Sequence, residues 1–244
     1  MQKYLDLYNE VRTLKDWDDL LYYEKDFNYT EFLLALSNYK KGDEAFRVIG
    51  NIGGNWEYTP NESDLLVTHD NIRDNKFVLK SEIETFETYG YDYGYDKYNC
   101  DDLANKMAEL MGFDNHVSSV NYQPTGSMVN LHVDTLGCWV IGKSEELGSL
   151  EFDKEKRQPV GHPDLHRVFV ALSDWQPGWM WQFGYEYWTD WKKGDVVWFD
   201  WRNVPHATAN AGYSPRPIIK ISGDSPFIDD LILNNKEPFS FSID

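Results

Sequence analysis

Residues Gly194–Ile221 read GDVVWFDWRNVPHATANAGYSPRPIIKI, and the texture of this stretch decides the fold class. Asp195–Asp200 is a run of β-forming apolar residues behind a glycine, followed by a turn. His206–Asn210 then alternates, with His206, Thr208 and Asn210 on one side of an extended chain and Ala207 and Ala209 on the other. After a second turn at Ala211–Pro215, the β-rich run Arg216–Ile221 begins. The numbers 206 and 216 are symmetric about the turn, so the spacing predicts a hairpin with His206 and Arg216 as cross-strand partners, Cβ atoms ~5 Å apart.

Working outward, similar short runs occur at His116–Gln123, Met128–Asp134 and Val168–Leu172, separated by Gly, Pro and Asn. Asp101–Gly112 has a different period. Its apolar positions Leu103, Met107, Leu110 and Met111 fall on one helical stripe, with acidic residues at the start and a glycine at the end. Strands with an amphipathic helix beside them predict a mainly β sandwich or barrel with flanking helices. A helix is also expected over Lys3–Leu14, with a turn at Lys41–Asp43 and chain breaks at Gly50–Asn55 and Thr59–Ser63. Tyr89–Tyr98 (YGYDYGYDKY) reads as an aromatic loop packed on the domain or lying over a substrate. The division expected is an N-terminal region, 1–95, packed on a catalytic domain, 96–244, in one structural unit.

In Met128–Asp134 (MVNLHVD), alternation puts Val129, Leu131 and Val133 on one face and Asn130, His132 and Asp134 on the other. An imidazole and a carboxylate two residues apart on one strand can clasp a cation, and His206 is the best third ligand. Two histidines and one carboxylate leave three metal positions open, the facial arrangement of non-haem Fe(II) sites. A guanidinium beside His206 would suit a keto acid that chelates the metal and extends a distal carboxylate.

The His-x-Asp pair, the distal His and a basic residue ten positions beyond it resemble the 2-oxoglutarate/Fe(II)-dependent oxygenase superfamily, over roughly residues 116–221. The resemblance implies a double-stranded β-helix, the jelly roll that cupins share. It also implies Fe(II) held by His132, Asp134 and His206, 2-oxoglutarate anchored at Arg216, and O2 consumed in hydroxylating a C–H bond with release of succinate and CO2. Gly194–Asp200 with His206 and Arg216 is most similar to the aspartyl/asparaginyl hydroxylase branch, which usually lacks the equivalent of Asp134. Tyr122-Gln123-Pro124 and Asp134 are closer to prolyl-hydroxylase-like members, which usually carry lysine at the distal position. Both branches stay open.

Around this constellation, Tyr122, Arg167 and Gln182 are expected to contact co-substrate or substrate, His166 to assist, and each has a plain alternative as a packed or solvated strand residue. His162-Pro163-Asp164 repeats the literal metal pattern, but a mid-strand proline argues for a loop. Trp175, Trp179, Trp181, Trp188 and Trp191 are either core or a stacking surface. Two alternatives accompany the oxygenase reading: a cupin-like metal enzyme that does not use 2-oxoglutarate, and a jelly-roll module binding sugar or peptide through the tryptophans.

Charge narrows the partners. The 244 residues carry a formal net charge of −18, which repels a phosphate backbone, so nucleic acid is disfavoured and a small-molecule or protein substrate is expected. Cys100 and Cys138 are ordinary thiols rather than a disulfide framework. Met1–Asp18 lacks a signal-like apolar core and no apolar run spans a bilayer, so the expectation is a soluble cytoplasmic chain that uses no membrane.

Overall fold

Every residue of Leu165–Ala171 is buried, which a strand achieves only when both of its faces are covered. The layers that cover it organise the molecule. The computed structural model describes residues 39–60, 65–67, 96–98, 101–132, 152–153, 158–159, 165–201 and 203–243. In chain order these form β1 (Arg47–Gly54), β2 (Leu65–Val67), β3 (Asp96–Tyr98), α1 (Asp101–Leu110), β4 (Asn115–Gln123), β5 (Met128–His132), β6 (Phe152–Asp153) and β7 (Gln158–Pro159). There follow β8 (Leu165–Ala171), β9 (Trp179–Phe183), β10 (Glu186–Trp188), β11 (Asp195–Trp198), β12 (His206–Asn210), β13 (Arg216–Asp224), α2 (Pro226–Leu233) and β14 (Phe239–Ile243).

Two sheets carry the fold. The larger runs β14-β1-β11-β8-β13-β4-β3-β2 and the smaller β10-β9-β12-β5, with β6 and β7 forming a separate pair. From β4 to β13 the chain passes back and forth: β4 is in the large sheet, β5 in the small, β8 in the large, β9 and β10 in the small, β11 in the large, β12 in the small and β13 in the large. This winding is a double-stranded β-helix, so the fold is a jelly roll. The large sheet also crosses residue 95, since β1 lies between β11 and β14.

Side-chain alternation explains the layers. Phe169 and Ala171 of β8, Val197 of β11 and Ile218 of β13 pack inward with Trp179, Trp181 and Phe183 of β9 and Trp188 of β10. Their opposite-parity neighbours Val168, Val170, Val196, Ile219 and Ile221 point outward, onto Ala104, Met107, Ala108 and Met111 from α1 and its end, and onto Ile228 and Leu231 of α2. Each fully buried Ile or Val here stabilises the fold by roughly 1.5–3 kcal/mol. Ser225 ties the helices together: its hydroxyl accepts from the Ile228 N–H at 3.1 Å, capping α2, and donates to the Met111 carbonyl at 2.6 Å.

Several expectations change. His206 and Arg216 do not form a hairpin, because β12 pairs with β5 and β9 while β13 pairs with β4 and β8. The intervening turn carries the chain from one sheet to the other. Gly50–Asn55 is not a break, since β1 runs through Gly54, and Gly50 is there for close packing: a Cβ would lie 2.4 Å from the Phe239 ring. The end of the Tyr-Gly stretch, Asp96–Tyr98, is strand β3 rather than loop. Lys3–Leu14 and His162-Pro163-Asp164 lie outside the described residues. No helix among the described residues is long and apolar enough to cross a membrane.

Candidate metal centre

β12 is the middle of the site. Its burial alternates, and His206, Thr208 and Asn210 face the interior at 3%, 8% and 1% exposure. On one side, His206 is paired in register with Phe183 and Thr208 with Trp181; on the other, His206 is paired with His132. The two histidines expected to share a metal are thus backbone neighbours across one strand pair. The register then shifts, so that Thr208 meets Val129. The simple alternation expected for Met128–Asp134 therefore fails between Val129 and His132, where β5 holds an extra residue against β12. Asp134 lies outside the described residues, two positions beyond His132, and on their own the described residues hold no cluster of three His, Cys, Asp or Glu side chains.

The His206 ring is held in one orientation. Phe199 meets it edge-on at 4.7 Å between centroids and Phe183 stacks at 6.3 Å. Its Nδ1 lies 3.1 Å from the Val204 carbonyl, which can only accept. Nδ1 therefore carries a proton, and in the neutral ring the lone pair is on Nε2, the tautomer a metal-ligating histidine takes when its other nitrogen bonds to backbone. Such a nitrogen, with a second histidine at the register-paired position of β5, suits a divalent transition metal.

Arg216 approaches from the opposite sheet. It begins β13 opposite Gln123 of β4 and is 4% exposed. Its Nη1 donates to the Met180 carbonyl at 3.0 Å, and its guanidinium lies 4.8 Å over the Trp181 ring. Its Nε has no hydrogen-bond partner, and among the described residues no carboxylate neutralises it. Burial pushes the guanidinium down from its ordinary value to about 9, so at neutral pH it remains a cation with no anion beside it among the described residues. A buried charge in this condition is costly unless a ligand pairs with it.

Gln123, to which the sequence assigned no contact of its own, completes the polar floor. It is 2% exposed, and its Nε2 donates to the Thr208 hydroxyl at 3.1 Å, linking the two sheets. Asn210 ties the rim: its Nδ2 donates to the carbonyls of Gln123 and Ser214, and its Oδ1 accepts from the Gly212 N–H.

The other expected contacts divide by strand parity. Tyr122 pairs with Pro217 on the outer face of the large sheet, the side opposite Gln123 and Arg216. Gln182 pairs with Tyr187 and Ala207 on the outer face of the small sheet, and its Nε2 is bound to the Gly184 carbonyl. Neither faces the interior, because each is one residue out of phase with it. Arg167 does face inward, 2% exposed, but its Nε donates to Ser222 at 2.9 Å and it stacks on Trp201 at 4.7 Å. That places it opposite Ser222, six residues along β13 from Arg216. His166 faces the helices, with Nε2 2.8 Å from Asp229 and Nδ1 accepting from the Trp198 indole at 3.2 Å.

No family model matches the sequence, and no curated protein matches it. Among solved structures, similarity is found to a cupin 2 conserved barrel domain protein from Salinispora arenicola, 12% identical, covering 49% of this chain and 71% of that one with a TM-score of 0.26. A protein with a double-stranded β-helix domain from Klebsiella pneumoniae is 14% identical over 48% of this chain and 74% of its own, with a TM-score of 0.28. A variant of Bacillus subtilis oxalate decarboxylase is 16% identical over 54% of this chain and 26% of its own, with a TM-score of 0.30. The fold assignment rests on the strand order itself.

Proposed function

We propose that this protein is a non-haem Fe(II)- and 2-oxoglutarate-dependent oxygenase, with His132, Asp134 and His206 as metal ligands and Arg216 as the anchor for the co-substrate's distal carboxylate. The observation that carries the reading is Arg216: a buried cation with an unpaired Nε, facing the interior from the sheet opposite the one that presents His206. Thr208, the inward residue next to Arg216's stacking partner Trp181, is two positions along β12 from His206. That step is about 6.7 Å of strand, a scale suited to a five-carbon diacid with one end at the metal and the other at the guanidinium.

When bound, the metal would supply O2 activation coupled to oxidation of 2-oxoglutarate to succinate and CO2, and hydroxylation of a C–H bond. The chain's own contribution is positional. Val204 fixes the His206 tautomer, Phe183 and Phe199 hold the ring, Arg216 fixes the keto acid's far end, and the aromatic interior keeps water out. The tryptophans offered by the sequence as a sugar- or peptide-stacking surface favour a different role: Trp179, Trp181, Trp188 and Trp191 are 2–4% exposed and form the core.

A second reading, a cupin-like metal enzyme acting directly on a carboxylic acid, draws on the same buried cation. Thermal shift measurements separate the two. Fe(II) and 2-oxoglutarate together should raise Tm well beyond either alone, and aerobic incubation should yield succinate. A metal-dependent shift that 2-oxoglutarate leaves unchanged would favour the second reading.

A further inference from the structure

Trp181 is 3% exposed and its indole Nε1–H has no hydrogen-bond partner. Buried indole N–H groups normally find an acceptor, because leaving one without costs about 1–3 kcal/mol. This N–H belongs to the ring over which the Arg216 guanidinium sits at 4.8 Å, and Arg216 Nε is the second unpartnered buried donor in the same place. The rings around Trp181 offer no acceptor: Phe169 meets it at 4.5 Å, Phe183 at 5.4 Å and Trp188 at 5.8 Å between centroids. The two donors come from opposite sheets, one from β9 and one from β13, and a cation accompanies them. A carboxylate supplies what both lack, having two acceptor oxygens and a negative charge.

We propose that Trp181 is a positioning residue for the co-substrate, its Nε1–H donating to the same distal carboxylate that Arg216 binds. The proposal rests on the reading of Arg216 given above. The carboxylate is then held between a guanidinium from the large sheet and an indole from the small sheet, so binding pins the two sheets together. Gln123 supports the arrangement. It stands in register with Arg216, bridges to Thr208, the register partner of Trp181, and so fixes the spacing between the two donors.

The test uses the full chain loaded with Zn(II), which is diamagnetic and redox-inert, and two probes: 2-oxoglutarate and 2-oxobutyrate, which lacks the distal carboxylate. With the tryptophan indoles 15N-labelled, the Trp181 N–H signal, identified by its loss in Trp181→Phe, should move downfield with 2-oxoglutarate and stay in place with 2-oxobutyrate. Trp181→Phe, which keeps a ring under Arg216, should weaken 2-oxoglutarate binding roughly ten- to a hundredfold, the loss of one charge-assisted bond. Zn(II) and 2-oxobutyrate affinities should be unchanged. If the parent binds 2-oxoglutarate and Arg216→Met abolishes this, while the indole signal does not move, the role of Trp181 is overturned and that of Arg216 stands. If the parent does not distinguish the two acids, the reading of Arg216 itself fails and this one with it.

Discussion

His206 and His132 are register partners across the β5–β12 pair, and the Val204 carbonyl accepts from His206 Nδ1 at 3.1 Å, which in the neutral ring leaves the lone pair on Nε2. Histidines opposite each other on neighbouring strands can ligate one ion without any backbone adjustment. His132→Ala and His206→Ala should each lower Co(II) or Fe(II) affinity by more than about a hundredfold, as removal of a direct ligand must exceed the 10–100-fold effect of removing a ligand's hydrogen-bond partner. Isothermal titration with circular dichroism as a fold control would check this. Stoichiometric metal in both variants would remove the site from this strand pair.

What the sequence made legible follows from what alternation encodes. His206–Asn210 was readable as a strand with its inward face, and it forms β12 with those bounds. Asp101–Gly112 was readable as a helix, and α1 ends at Leu110 with Gly112 at φ +65 closing it. Pairing was not legible, because a turn such as Ala211–Pro215 can fold back on one sheet or step across to another with the same residues. Arg216 therefore reached the interior by crossing between sheets, and its neighbour became Gln123 rather than His206. The contacts that join Gln123, Thr208 and Trp181 were not legible for the same reason: each matters through a partner far away in the chain. Tyr122 and Gln182 are one residue out of phase with the interior face.

The Gln123–Thr208 bridge should have a measurable structural weight. Thr208→Val keeps shape but removes the acceptor of the 3.1 Å bond from Gln123 Nε2, leaving only a longer contact to the Ser127 carbonyl at 3.4 Å. The expected cost is about 1–2 kcal/mol of unfolding free energy, read by urea denaturation, with Thr208→Ser close to the parent. A neutral Thr208→Val would mean that the two sheets do not depend on this link.

Substrate class can be read from uncoupled turnover. With a net charge of −18, the chain should be stimulated in succinate formation by amino acids or peptides and not by oligonucleotides. Stimulation by an oligonucleotide, with an affinity that falls steeply as salt rises, would reverse this expectation.

Arg216 carries a conflict between stability and binding that pH should expose. Burial holds its guanidinium at about 9, below its ordinary value. Between those values the unfolded chain binds more protons at this site than the folded one, so this group's contribution to stability rises with pH across that window. Below about 9 the folded state bears the full cost of an unpaired buried charge. Arg216→Met removes the charge and keeps an unbranched side chain of fair length, so without ligand it should be more stable than the parent at pH 7.5, by about 1–3 kcal/mol. The difference should narrow by pH 10.5 as the parent alone recovers. Metal with 2-oxoglutarate should reverse the order at pH 7.5, because the variant gains only what the metal and its chelation supply while the parent gains the carboxylate pair as well. Paired urea denaturation curves at the two pH values, with and without ligand, give all four comparisons. A variant less stable than the parent at pH 7.5 without ligand would show that the guanidinium is already satisfied within the fold, and the case for an anion at this position would be lost.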